Sequence, residues 1–112
     1  MVQYQQGLDH TFAAVSDRTR RGVLQRLGRK DASITELAHA FGMTLTGMKK
    51  HVRVLEDAGL VATEKVGRVR TCRLGPRRLD QEARWIEEYR RMLENRFNRL
   101  EEFLEETRET QP

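Results

Sequence analysis

The chain is 112 residues long, with 38% hydrophobic and 34% charged residues; a core of that size is thin against the entropy of folding, so help from a second subunit is expected. Its apolar residues recur at helical spacing, which excludes disorder, and no apolar run approaches the roughly 20 residues of a membrane-spanning helix. The net charge of +4 hides an asymmetry, +6 over residues 1–75 and −2 over residues 76–112, so the first part is expected to meet a polyanion.

Residues 1–9 are polar, without a signal-peptide core, and the lone cysteine, Cys72, provides no disulfide framework. A cytoplasmic location and no membrane partner are the expectation. A first helix is predicted over about 8–15, where Leu8, Phe12 and Val15 share a face. Ser16 and Asp17 offer N-cap oxygens for a second helix to about residue 27, which Gly28 ends. Arg18, Arg20 and Arg21 open that helix and read as a solvated face before they read as DNA-backbone contacts.

Ser33-Ile34-Thr35-Glu36 has the spacing of a capping box, so a third, short helix runs to about residue 41 and buries Leu37, Ala38 and Phe41. Gly42 supplies a turn, and Thr44 caps a fourth helix that puts Met48, Val52 and Leu55 on the core side, to about residue 58. Two β-prone runs over 61–66 and 69–74, separated by Gly67-Arg68, predict a hairpin. Cys72 is expected to face the core with Leu74. Pro76 suits the opening of a last helix over about 76–109, roughly 50 Å long at about 1.5 Å per residue and too long for a small domain to cover. Leu79, Ile86, Leu93 and Leu100 stand seven apart on it, with Tyr89, Phe97 and Leu104 on adjoining stripes, as a partner-helix face. Phe12, Trp85 and Tyr89 read as core packing before they read as a small-ligand pocket.

The expected fold class is therefore mainly α with a small β-hairpin: a single winged helix-turn-helix domain over residues 1–112, with the helix-turn-helix at 33–58, the wing at 61–74 and a long C-terminal dimerisation helix at 76–109. A second helix held at a fixed angle by the first can project its polar face into a major groove wide enough to admit it. The DNA-binding candidates are Thr44, Thr46 and Lys49 for base edges, Lys50 and Arg53 for bases or phosphates, and Lys65, Arg68 and Arg70 at the wing tip, where a cation meets a minor groove or a phosphate. Taken singly, each also reads as an ordinary surface charge, and Lys65 and Arg70 also as guards of an edge strand. The dimerisation candidates are Leu8, Phe12, Ile86, Tyr89, Leu93, Phe97 and Leu100.

Ile34-Thr35-Glu36-Leu37-Ala38, residues 43–48, His51-Val52-Arg53-Val54-Leu55-Glu56-Asp57-Ala58-Gly59-Leu60-Val61 and Gly67-Arg68 together resemble ArsR-type bacterial transcriptional repressors, and the opening over 12–21 is similar to that family's first two helices. The resemblance implies a homodimer formed by the first and last helices that binds double-stranded DNA at an inverted-repeat operator and blocks transcription, often of its own operon. Metal-sensing relatives carry a Cys-x-Cys pair in the third helix, or His and Asp ligands on the last one. Here residues 36–41 hold no cysteine and the last helix no histidine, so no metal site and no cofactor are expected. His39 reads as exposed or helix-packing, and His51 as helix packing or a phosphate contact. No catalytic residues are expected, because no phosphate-cradling glycine loop, paired nucleophile and base, or acidic metal cluster is legible. The reading leaves room for a small-molecule inducer without naming one. The competing readings are a protein-interaction module and a low-specificity architectural DNA binder.

Overall fold

The computed structural model describes the backbone of residues 2–110 and the side chains of residues 7–108, so most of the polar opening lies outside the described side chains. The elements in chain order are α1 (Val2–Val15), α2 (Arg18–Leu27), β1 (Ala32–Ser33), α3 (Ile34–Ala40), α4 (Leu45–Asp57), β2 (Val61–Val66), β3 (Val69–Leu74) and α5 (Asp80–Thr110). The chain divides after Leu79 into two units.

In the first unit, α2, α3 and α4 close on a core in which Val23, Leu37, Met48, Leu55 and Cys72 have almost no exposed surface. Local chemistry fixes the ends of the helices. Asp17 accepts the Arg20 amide at 3.0 Å as N-cap of α2, Ser33 and Glu36 form the predicted capping box on α3, and Thr44 caps α4 through the Gly47 amide at 3.0 Å. Gly42, at φ 62°, makes the turn between α3 and α4 in a conformation that side chains with a Cβ avoid.

Several expectations need correction. The buried stripe of α1 runs through Leu8, Thr11 and Ala14, leaving Phe12 and Val15 half-buried beside it. Thr11 can be buried because its hydroxyl donates to the Gly7 carbonyl one turn back, at 3.1 Å. Leu8, expected at a partner face, is thus already covered within the chain. Phe41 is not a core residue but the exposed C-cap of α3, its ring edge lying over Gly22 of α2, where an added Cβ would come within 2.7 Å.

The sheet has three strands in the order β1-β3-β2, because Ala32 and Ser33 pair with Cys72 and Thr71 beside the expected hairpin. Cys72 does face the core, but Leu74, at the strand end, is exposed. The last helix begins at Asp80 rather than near Pro76. Leu79 sits just before it at φ 63° and packs on the first unit's core, so it does not belong to the seven-spaced stripe. A left-handed leucine costs about 1–2 kcal/mol, which burial of its side chain offsets. Asp80 then places an exposed acidic side chain in the first turn, where the helix dipole favours it, and the buried Glu82 follows in the same turn.

The second unit is α5, whose polar side carries the i,i+4 pairs Arg90–Glu94 at 2.9 Å and Arg91–Glu87 at 3.7 Å. Its other side exposes Ile86, Tyr89, Phe97, Leu100 and Leu104, with Leu93 half-buried among them. Trp85 and Tyr89 stack at 5.5 Å with planes 7° apart, yet each is about half exposed, so they are not the core packing expected of them.

Candidate nucleic-acid interface

Burial of Met48, Val52 and Leu55 on one side of α4 dictates what the other side presents: Thr46, Lys49, Lys50 and Arg53 are all exposed. Thr44 is exposed as well, but its hydroxyl oxygen is engaged with the Gly47 amide, which leaves the hydroxyl proton for another partner.

The wing acquires its charge by strand alternation. β2 and β3 pair antiparallel with Val61 opposite Leu74, Thr63 opposite Cys72 and Lys65 opposite Arg70. Residues two apart share a face, so the face that covers the core at Cys72 becomes, one step further out, the face that carries Lys65 and Arg70. The tip is Gly67-Arg68 between the paired Val66 and Val69. Gly67 has φ 63° and Arg68 has no positive φ, as in the type II′ turn that suits two-residue hairpins.

Lys49 of α4 and Lys65, Arg68 and Arg70 of the wing line one groove of about 510 Å³, whose floor includes Ile34 and Leu45. Among the described residues, none of these four cations has an ion-pair partner within 4 Å. Two cations directly opposite in a ladder destabilise a hairpin, and a polyanion between wing and helix would relieve them. Arg70 is steadied from below. Its Nη1 donates to Thr63 Oγ1 at 2.9 Å, and that hydroxyl donates to Glu56 Oε2 of α4 at 2.6 Å, a chain that ties the wing to the helix. Arg53 faces an adjoining groove that it shares with Lys49 and Arg70 but also with Glu56 and Asp57. Thr44, Thr46 and Lys50 line neither groove.

The arginines at the start of α2 have a use the sequence did not disclose. Arg20 donates through Nε to the Ala14 carbonyl at 2.7 Å and through Nη2 to the Ala13 carbonyl at 3.0 Å, while Nη1 lies 3.2 Å from His51 Nδ1 on α4. Arg21 donates to the Val15 carbonyl at 2.9 Å. Both therefore serve the end of α1, where carbonyls lack helical partners and cations are favoured. The available signal was their place just after a predicted helix end. Of the two readings of His51, the structure shows helix packing: Nδ1 also lies 3.9 Å from Asp17 Oδ2. The Asp17 carboxyl is held below its ordinary value, first by the Arg20 amide and then by the Arg20 charge, against some burial. Among the described residues, no three His, Cys, Asp or Glu side chains gather as a metal ion would need, and no helix is long and apolar enough to cross a membrane.

A short helix bracing a longer one with an exposed polar face, followed by a hairpin with a cationic tip, defines the winged helix-turn-helix class of DNA-binding proteins. Residues 15–64 match the family model described as a helix-turn-helix domain. The HTH-type transcriptional regulator Rv2034 of Mycobacterium tuberculosis is 31% identical over 68 residues, a segment that covers 61% of this chain and 64%, just under two thirds, of that protein. An ArsR-like transcriptional regulator from Rhodococcus sp. RHA1 superposes with a TM-score of 0.77 and 32% identity, over 95% of this chain and 97% of that one. The chain belongs to the ArsR family of transcriptional regulators. The homodimeric winged helix-turn-helix DNA-binding domain Mb0332 from Mycobacterium bovis shares the fold at 19% identity, with a TM-score of 0.64 over 83% of each chain.

Proposed function

We propose that this regulator is a homodimeric repressor that binds an inverted-repeat operator, its own promoter included, with one α4 in each of two successive major grooves about 34 Å apart. Thr44, Thr46 and Lys49 read base edges, Lys50 and Arg53 hold bases or phosphates, and Lys65, Arg68 and Arg70 hold the phosphates or the minor groove beside the wing. The observation that carries the reading is the convergence of Lys49, Lys65, Arg68 and Arg70 on one groove between helix and wing, none of them with an ion-pair partner among the described residues. The dimer is supported by the exposed apolar face of α5 and by the homodimeric state of the Mycobacterium bovis domain. An inducer, where one acts, works by favouring a dimer whose spacing misfits the operator.

Footprinting on the upstream region of the protein's own gene, with random duplex as competitor, tests the proposal. Protection of an inverted repeat that random duplex does not displace is the expected result, whereas equal competition would make the protein an architectural binder. Replacing Lys49, Lys50 and Arg68 together by alanine should abolish retention and flatten the salt dependence of what remains. Unchanged duplex binding by that variant would overturn the contact assignment and favour a protein partner for the winged unit.

A further inference from the structure

We infer that Arg20 is a positioning residue for the recognition helix: its guanidinium fastens the end of α1 to His51 in the middle of α4, and operator reading depends on that fastening although Arg20 itself meets no DNA. The inference rests on the reading that α4 enters the major groove. Three of the five guanidinium donors are spent inside the protein, two on the Ala13 and Ala14 carbonyls and one on His51 Nδ1. Arginine has no acceptor, so Nδ1 is the bare nitrogen of the ring. Asp17 caps α2 through the Arg20 amide and stands 3.9 Å from the same Nδ1, so α1, α2 and α4 meet at this one joint.

Apolar packing fixes which face of α4 turns inward, and directional bonds sharpen that rotation: Thr63 to Glu56 near its C-terminal end and Arg20 to His51 at its middle. Met48, Val52 and Leu55 seat the helix by contacts that are non-directional. A rotation of about 20° would move side-chain tips roughly 5 Å from the axis by about 2 Å, more than a hydrogen bond to a base edge tolerates. The Arg20–His51 bond is directional and engages α4 partway along, one residue from Lys50 and two from Lys49. Lysine could not replace the fork, because a single ammonium on a flexible stem does not span three acceptors set at fixed angles.

The test uses the full chain and a genomic duplex selected in vitro by the wild-type protein. Arg20→Ala, Arg20→Lys, His51→Leu, His51→Asn and the Arg20→Ala/His51→Leu double variant are compared for affinity over a salt series, with circular dichroism confirming the fold at the assay temperature. Arg20→Ala, Arg20→Lys and His51→Leu should each bind about ten-fold more weakly, with the wild-type salt slope. His51→Asn, whose amide oxygen can stand where Nδ1 stands, should restore binding, and the double variant should be no weaker than either single one. Wild-type affinity in Arg20→Ala would overturn the inference, as would fully additive single effects. A salt slope reduced by about one would overturn it too, by making Arg20 a phosphate contact. Should Arg20→Ala fail to fold, Arg20→Lys and the two His51 variants decide. A wild-type protein that selects no duplex, or a Lys49, Lys50 and Arg68 variant that binds normally, would instead sink the DNA reading.

Discussion

Cys72 has no exposed surface, and its thiol is pushed from 9.0 up to about 11, first by burial and then by the charge of Glu56, with Arg70 opposing. At neutral pH only about one such thiol in ten thousand is thiolate, so the folded protein is a poor target for oxidants or soft metals. The pKa is raised by folding, so as pH rises the unfolded chain releases this proton first. The stabilising contribution is complete below about pH 9 and is lost as pH climbs toward 11. Urea denaturation at pH 8 and pH 10.5 should show wild type losing on the order of 1–2 kcal/mol more than Cys72→Ala between the two conditions. Equal losses would mean that the thiol is not desolvated as described. Strand alternation alone put Cys72 on the core face. The placing of Arg20 was not legible in the same way, because its acceptors lie six, seven and 31 residues away, and a cation in a basic stretch otherwise reads as solvated.

At the scale of elements, legibility followed how local the determining chemistry was. α3, α4 and the wing each carry their own punctuation: Ser33 with Glu36, Thr44, and Gly67 at the tip. β1 has none, since Ala32 and Ser33 become a strand only by pairing with residues some forty positions on. The start of α5 was displaced because Pro76 is a permissible helix opening, whereas Leu79 turns left-handed and packs its partly buried side chain on the core, a contact with no local signal. Lys65 and Arg70 were legible as wing-tip cations, and their direct opposition follows from the two-residue loop that sets the register. That register makes the wing a compromise between hairpin stability and anion binding. Lys65→Thr removes the like-charge pair and adds a β-branched residue, so it should raise stability by about 0.5–1 kcal/mol in thermal unfolding. It should at the same time weaken duplex binding and lower the salt slope by about one. A variant that is more stable and binds as tightly as wild type would remove Lys65 from the interface.

For the whole molecule the decisive surface is the apolar side of α5, where Ile86, Tyr89, Phe97, Leu100 and Leu104 are each about half exposed or more. A contiguous apolar face of this kind marks an interaction site, and a second copy of the chain is the occupant proposed for it. Leu93 is the half-buried residue near the middle of that face, so a carboxylate there would have to be desolvated, unpaired, in every dimer. Leu93→Glu should therefore sediment as a monomer at micromolar concentration while keeping the helical content of the first unit. The consequence for DNA is sharper than a simple loss. Two linked readers bind an inverted repeat with a gain set by effective concentration, on the order of 100-fold or more, and their phosphate contacts add in the salt slope. The monomer should bind a single half-site as well as wild type does, lose that gain on the full operator, and show roughly half the slope. A dimer that survives Leu93→Glu would refute the face. A monomer with undiminished operator affinity would show that one winged unit reads the whole site.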